Sequence, residues 1–204
     1  VQISPLSSLN AAIKESEKSV EWSEISRVQM NALEILANMF SDDDEEEEVV
    51  ILPEIQYQLI DAVISLIRIL GAGKVWSSFP SQIFNEVHSL RFRALTCLSN
   101  MIQSVRSGTL RKSRSDVQHL FDYLFRLCIS CSEETTFTSH VSSEQRGQAV
   151  TSELLWSLLR REDAQAIVLN DEQMKQIRVM IRSESTRVRL HTCGMISAMC
   201  SRVE

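Results

Sequence analysis

Apolar side chains recur at helical spacing in segment after segment of this chain, and this pattern limits the fold more than any other feature. Such a spacing of three and four residues predicts amphipathic α-helices. Only 5 Gly and 3 Pro occur in 204 residues, too few for the many turns of a β-sandwich or barrel. No segment alternates apolar and polar residues as a half-buried strand does. The sequence therefore predicts an all-α fold. The predicted helical segments are Ser23–Phe40, Pro53–Leu70, Val87–Val105, Asp116–Ile129, Glu144–Arg160, Glu172–Ile181 and Thr186–Cys200.

Residues typical of helix ends stand at several of these boundaries. Pro53 occupies a first turn and the glycines from Gly71 follow the last apolar residue, which are common start and stop signals. Ser115-Asp116 and Asn170-Asp171 are predicted N-caps, since their side chains accept hydrogen bonds from the first turn.

The helical pattern also repeats. The segment Ala32–Met39 matches Ala94–Met101 at one Ala, two Leu, one Asn and one Met, and Thr192–Met199 is a weaker third copy. Helix pairs that expose an apolar face stack on their neighbours, so the repeats predict a HEAT/armadillo-type α-solenoid of about four pairs, with residues 1–204 as one domain. The predicted first helices begin near Ser7, Pro53, Ser115 and Asp171, and the second helices near Glu21, Val87, Ser143 and Ser185. An acidic loop is expected at 41–52, and inter-helix loops at 71–80, 105–114 and 130–142.

One run of acidic residues carries most of the charge of the chain. The run consists of Asp42, Asp43, Asp44, Glu45, Glu46, Glu47 and Glu48. The formal net charge is −6, so the remainder of the chain is nearly neutral. Seven like charges repel one another and cannot pack in a core, so the run is expected to be a solvated loop. It is interpreted either as a solubilising linker or as a docking site for a basic partner, since it mimics a phosphate backbone.

Two asparagines at matching positions of the repeats, Asn38 and Asn100, are a second candidate binding feature. An amide supplies both donors and acceptors and can bond the backbone of an extended peptide. The alternative is a polar side chain that faces solvent or ties two helices together.

Other classes of function have little support in the sequence. The most apolar stretch, Leu59–Leu70, contains Asp61 and Arg68, so no membrane span is expected. The opening shows no signal-peptide pattern, and the chain is interpreted as a fragment. The five cysteines favour a reducing compartment, and Cys128-x-x-Cys131 lacks the second pair of a zinc site. No catalytic, cofactor or metal motif occurs, so an enzyme is not expected.

A short basic cluster raises the question of nucleic-acid binding. Its members are Arg106, Arg111, Lys112 and Arg114. Because no aromatic residue is interleaved for base stacking, a solvated loop is favoured over an RNA contact or a nuclear signal, and no direct nucleic-acid binding is expected.

Three places in the sequence resemble the symportin family of import adaptors for ribosomal proteins. They are Ala32–Met39 running into Asp42–Glu48, Ser89–Leu98, and Ser185–Arg189 opening a helix rich in small residues. The resemblance implies a helical-repeat chaperone in cytoplasm and nucleus that holds basic large-subunit ribosomal proteins of the 5S particle. It implies that the acidic loop helps to bind these clients and that regions outside this chain contact the import receptor. A structural HEAT-repeat scaffold from another transport or regulatory assembly is the alternative, and an enzyme with an unrecognised cleft is a third hypothesis.

Overall fold

Seven α-helices make up the part of the chain that the structure describes. The structure is a computed structural model, and it describes residues 5–40, 52–71, 81–105, 114–133 and 141–202. The helices are α1 (Pro5–Met39), α2 (Pro53–Leu70), α3 (Ser81–Ser104), α4 (Arg114–Glu133), α5 (Val141–Leu159), α6 (Asp171–Met180) and α7 (Thr186–Cys200), with a 3₁₀ turn at Glu162–Ala164. None of the described residues lies in a strand. The predicted all-α fold is confirmed.

The helices form two layers. Helices α1, α3, α5 and α7 pack side by side in that order and form the second-helix layer. Helices α2, α4 and α6 each pack on the helix that follows in the sequence, and together they form the first-helix layer. Neighbours in the second-helix layer run parallel, because Ser23 of α1 bonds Glu86 near the start of α3 and Asn100 near the end of α3 bonds Ala37. This is the stacking of a helical-repeat solenoid.

Helix α3 lies at the centre of the core. It contacts α1, α2 and α5, so it is covered on three sides. Its side chains Leu90, Ala94, Leu98 and Met101 are completely buried. A helix that is apolar over most of its circumference is expected to be a buried one, and this explains why the apolar residues of α3 exceed a single stripe.

Polar and aromatic side chains connect the helices of the first-helix layer. One carboxylate oxygen of Asp122 on α4 accepts from the amides of Gln118 and Gln173, each at 2.9 Å. Gln173 lies on α6, so the carboxylate joins two repeats. The guanidinium of Arg68 on α2 lies 5.5 Å from the centre of the Tyr123 ring on α4. Specific polar and aromatic contacts therefore link neighbouring helices of this layer.

Several predicted helix boundaries are confirmed. Pro53 occupies the first turn of α2, and Gly71 is its C-cap. The side chain of Asn170 accepts from the backbone N of Gln173 at 2.9 Å, and the Gln173 side chain accepts from the Asn170 N at 3.0 Å, so the pair forms a capping box. Ser185 caps α7 by accepting from the backbone N of Val188. Local side-chain chemistry was sufficient to locate these ends.

The predicted first helix pair is wrong. Helix α1 runs without a break from Pro5 to Met39, so the helices expected to start near Ser7 and Glu21 are one. No Gly or Pro occurs between Ser8 and Met39, and extending a helix costs less than ending it and nucleating another. The predicted N-cap at Ser115-Asp116 is also wrong, because α4 begins one residue earlier, at Arg114.

The helices also extend into stretches that were predicted to be loops. Helix α3 begins at Ser81 rather than near Val87, α4 runs to Glu133, and α5 begins at Val141. Residues 130–133 and 141–142 are therefore helical. The rest of the predicted loop at 130–142, most of those at 71–80 and 105–114, and the acidic loop at 41–52 apart from Leu52 lie outside the described residues. Among the described helices, none is both long and apolar enough to cross a membrane.

Candidate partner-binding surface

The carboxyl ends of the four second helices lie along one edge of the stack, which is called here the C-terminal edge. The last carbonyl groups of a helix have no partner within that helix. At this edge, a side chain near the end of each following second helix donates a hydrogen bond to them. The edge is therefore a series of end caps, each supplied by the next repeat.

At the junction of α1 and α3 the donors are neutral side chains. The amide nitrogen of Asn100 lies 3.3 Å from the carbonyl oxygen of Ala37. The hydroxyl of Ser104 donates to the carbonyl oxygen of Phe40. Ala37 lies in the last turn of α1 and Phe40 directly follows the helix, so side chains of α3 cap the carboxyl end of α1.

At the next two junctions the donors are arginines. Arg161 Nη1 donates to the carbonyl oxygens of Ile102 at 2.6 Å and Val105 at 2.7 Å, at the end of α3. Arg202 Nη2 donates to the carbonyl oxygen of Leu159, at the end of α5. A cation is stabilised by the negative end of a helix. Burial lowers the pKa of the Arg202 guanidinium.

The sequence reasoning missed these two arginines. Each follows the last residue of its helix by two positions, since α5 ends at Leu159 and α7 at Cys200. That shared offset was the available signal. It becomes visible only when the helix ends are known.

The structure brings the two candidate asparagines close together. Asn38 is exposed on α1. The Asn100 amide nitrogen bonds the carbonyl of Ala37, the residue directly before Asn38. Asn100 is half-buried, so one of its donors ties two helices together while Asn38 faces outward. Whether either residue contacts a peptide stays a prediction.

The candidate acidic residues Asp42–Glu48 lie outside the described residues. The described chain before them ends at Phe40, whose side chain is buried and whose carbonyl accepts from Ser104. The run thus follows, in sequence, an anchored residue at the C-terminal edge. Its role as a binding site stays a prediction.

A cavity of about 740 Å³ opens at the C-terminal edge between the ends of α5 and α7. Its lining includes Trp156, Arg160, Arg161, Arg202 and Gly194. The Arg160 guanidinium lies over the Trp156 ring, 5.4 Å from its centre. Three arginines and an indole make this cavity cationic and partly aromatic, although Arg161 and Arg202 also donate to the ends of neighbouring helices.

Gly194 lets α7 approach Trp156 closely. A Cβ atom at position 194 would lie 2.5 Å from Trp156 Nε1, well inside contact distance. The indole also stacks on His191, with ring centres 5.8 Å apart. Trp156 therefore packs between α5 and α7, and nothing in the sequence indicated that glycine was required opposite the ring.

A buried serine and histidine lie side by side in the same junction. Ser152 Oγ and His191 Nδ1 are 3.0 Å apart, and both side chains are buried. Ser152 donates to the Ala149 carbonyl at 2.8 Å, and His191 Nδ1 is 3.1 Å from the same oxygen. These contacts satisfy polar groups between α5 and α7, as expected of polar side chains in a core.

Four of the five cysteines have side chains that the structure describes. Cys97 and Cys128 are buried, and Cys193 and Cys200 are exposed. Burial raises the pKa of the Cys97 thiol to about 11, which makes it inert at neutral pH. In the part of the chain that the structure describes, no group of three or more His, Cys, Asp or Glu is placed to hold a metal ion.

Comparisons with known proteins give one match. The family model described as SYO1-like, TPR repeats covers residues 54–204, from the second residue of α2 to beyond the end of α7. The searches of curated proteins and of solved structures returned no match. The description names TPR repeats where the sequence predicted HEAT or armadillo repeats; all three are helical units stacked into a solenoid. The resemblance to symportins is confirmed, and the chain belongs to the SYO1-like family of helical-repeat proteins.

Proposed function

We propose that this chain is a non-enzymatic adaptor and chaperone that binds basic ribosomal proteins of the large subunit, those of the 5S particle, for nuclear import and ribosome assembly. The observation that carries the proposal is the acidic run Asp42–Glu48, which follows the end of α1 in a chain that matches the SYO1-like family. Family membership supports a helical-repeat adaptor, and the acidic run supports a basic client.

The physical basis is electrostatic. Ribosomal proteins carry Lys and Arg clusters that neutralise RNA phosphates, and seven consecutive carboxylates offer a similar density of negative charge. Attraction of this kind raises the association rate and weakens with salt, since the Debye length is about 8 Å at physiological ionic strength. A highly charged client remains soluble while its RNA-binding surface is covered.

The second-helix layer supplies the remainder of the proposed surface. Its helices contact their neighbours along the stack more extensively than the first helices do, so the stack is expected to curve with this layer on the inside. Asn38 lies on α1, two residues before the end of the described segment at Phe40. We assign Asn38 and Asn100 to the polar part of the surface, next to the acidic run.

The proposal places the import receptor on regions outside this chain and the protein in both cytoplasm and nucleus. It includes no membrane partner and no direct nucleic-acid contact. The alternative, a structural scaffold for another transport or regulatory assembly, receives support from one observation: Asn100 uses a donor to bond Ala37, which is a role in the stack itself.

The test is a titration with purified large-subunit proteins of the 5S particle, by calorimetry or fluorescence anisotropy at near-physiological salt. One variant replaces Asp42–Glu48 by Ser and Gly. A control matched in charge neutralises seven exposed acidic residues elsewhere, through Glu21→Gln, Glu24→Gln, Glu34→Gln, Glu54→Gln, Asp61→Asn, Glu172→Gln and Glu184→Gln. We expect the first variant to lose at least about tenfold in affinity, or roughly 1.4 kcal/mol, and the control to stay near wild type.

The salt dependence gives an independent readout. Wild-type affinity should fall as salt rises, and the variant without the acidic run should show a flatter dependence. Equal binding by wild type and variant would assign the run to a solubilising role. Absence of binding by both would support the scaffold.

A further inference from the structure

The cavity between the ends of α5 and α7 carries a net positive charge in a protein that is negative overall. We call it the arginine cavity, because Arg160, Arg161 and Arg202 line it, and Glu162 is the only acidic residue among the described residues of its lining. Three positive charges and one negative charge give the lining a formal sum of +2, whereas the chain has a formal net charge of −6. A cleft lined mainly by charges of one sign attracts ligands of the opposite sign.

Two arginines of the cavity retain donors for a ligand. A guanidinium has five N–H donors, and the bond from Arg202 Nη2 to the Leu159 carbonyl uses one of them. Among the described residues, neither Arg160 nor Arg202 forms an ion pair with a carboxylate. Burial lowers the pKa of Arg202 because it removes water from the guanidinium, and a bound anion would offset that loss of solvation.

The cavity is poorly suited to a nucleic acid. Proteins that bind single strands stack bases on aromatic rings in addition to contacting phosphates. Trp156 is the aromatic residue in the described lining, and its ring is already in contact with protein groups. The Arg160 guanidinium lies 5.4 Å from its centre, the His191 ring stacks on it at 5.8 Å, and Gly194 packs closely against it. The indole therefore serves the junction of α5 and α7 and leaves little ring surface for a base.

The spacing of the two capping arginines favours a ligand with two separate anionic groups. Arg161 is bonded to the end of α3 and Arg202 to the end of α5. Neighbouring helices pack with their axes roughly 8 to 10 Å apart, so we expect about one helix spacing between the two guanidinium groups. A single phosphate group is too small to reach both. In a peptide of polyproline II conformation, side chains three residues apart lie on the same side at a separation of roughly 9 Å.

We propose that the arginine cavity binds an acidic peptide segment of a partner protein, in an extended conformation with two carboxylates three residues apart. One carboxylate pairs with Arg161 and the other with Arg202, and Arg160 adds to the positive field. The exposed Ser197 hydroxyl and Gln165 amide can bond the peptide backbone. A basic ribosomal protein would be repelled here, so this partner differs from the client proposed above, and the two proposals can fail separately.

A titration with a labelled peptide tests the ligand class. The probe is fluorescein-labelled Gly-Ser-Glu-Ser-Gly-Glu-Ser-Gly with blocked ends, and binding to the whole chain is followed by fluorescence anisotropy at near-physiological salt. We expect a Kd of roughly 10 to 100 µM. The peptide Gly-Ser-Ser-Glu-Glu-Gly-Ser-Gly has the same composition with adjacent carboxylates, and should bind at least about fivefold more weakly. A Kd above about 1 mM for the probe, or equal binding of the two peptides, would overturn the proposal.

Charge reversal at single positions tests the location. Arg160→Glu is expected to raise the Kd at least about tenfold, and Arg160 lines the cavity but is not one of the arginines that cap a helix. Ser197→Glu adds a carboxylate to the lining and removes no arginine, so it should weaken binding similarly. The matched control is Arg178→Glu, an exposed position on α6 outside the lining, which should change the Kd less than about twofold. Circular dichroism checks that all variants fold alike. Equal losses at positions 160 and 178 would indicate unspecific attraction and overturn the proposal.

Competition distinguishes an acidic peptide from other anions. Unlabelled probe peptide, inorganic phosphate and a single-stranded oligouridylate are each added to the complex of protein and labelled peptide. We expect phosphate and the oligouridylate to displace the label only at concentrations at least about tenfold above that of the unlabelled peptide. Displacement by phosphate at equal concentration would indicate a site for a single oxyanion. Tighter binding of the oligouridylate that is lost in Arg160→Glu would indicate a nucleic-acid site, and either result would overturn the proposal.

Discussion

In both the α5–α7 junction and the α1–α3 junction, side chains from the later repeat cap the carboxyl end of the earlier helix. The two junctions differ in the chemistry of these side chains. At α5–α7 an indole packs against a glycine, and Arg202 donates to the last turn of α5. At α1–α3 the corresponding donors are Asn100 and Ser104, which are neutral. Hydrogen bonds from charged groups contribute about twice as much as neutral ones. The α5–α7 junction lies wholly within the family match at 54–204, whereas α1 precedes it. The comparison indicates that the junctions within the family repeats are capped by charged donors, whereas the junction with α1 is capped by neutral ones.

Replacing Gly194 by a larger residue should lower the free energy of unfolding more than any other substitution proposed here. Gly194→Val would force a side chain into the Trp156 ring and separate α7 from α5. We expect the free energy of unfolding to fall by about 3 kcal/mol, the upper range for overpacking, measured by urea denaturation. Ser197→Ala, at an exposed position of the same helix, is the control and should change stability by less than about 0.5 kcal/mol. Combining Gly194→Val with Trp156→Leu should recover part of the loss, and strict additivity would contradict the clash.

Removing an arginine cap should come second. Arg161→Ala leaves the carbonyls of Ile102 and Val105 without this donor. We expect a loss of about 2 kcal/mol, the range for hydrogen bonds that involve a charged group, from the same denaturation measurement. Arg161→Lys should have a stability between those of wild type and Arg161→Ala, since lysine keeps the charge but not the planar geometry. Arg160→Ala removes an adjacent exposed arginine and should cost clearly less; equal losses at 160 and 161 would argue against the cap.

Removing the neutral cap should have the smallest effect. Asn100→Ala deletes the bond to Ala37, and we expect a loss of about 1 kcal/mol. Asn31→Ala, an exposed amide on α1, serves as the reference. Hydrogen exchange can localise the change, since faster exchange should appear in the last turns of α1 rather than in α5 or α7. A loss as large as that of Arg161→Ala would remove the distinction between the two junctions.

Local signals explain which parts of the fold could be predicted from the sequence. Some helix ends are set by residues that act on backbone groups only a few positions away, so these ends could be predicted without a structure. The residues are Pro53, Gly71, Asn170 and Ser185. The missing break in α1 shows the limit of that approach. The serines near Glu21 can cap a helix, but a potential cap does not end a helix that has no glycine or proline to interrupt it.

The candidate site was less predictable, because its contacts join residues far apart in the chain. The matching positions of Asn38 and Asn100 were visible as a repeat, but the bond from Asn100 to Ala37 depends on how α3 is placed beside α1. A glycine inside a helix ordinarily lowers its stability, and only the position of Trp156 explains Gly194. Long-range packing of this kind leaves no periodic trace in a single sequence.

The end caps along the C-terminal edge have a consequence for synthesis on the ribosome. Each second helix emerges before the repeat that supplies its cap. The last carbonyl groups of α1 are therefore uncapped until Asn100 is made, and those of α3 until Arg161 is made. Each completed repeat therefore stabilises the one made before it, and a nascent chain gains order from its amino end in steps. A translation product that stops inside α5 would retain α3 but lack Arg161, and the carbonyl groups of Ile102 and Val105 would then be without this donor.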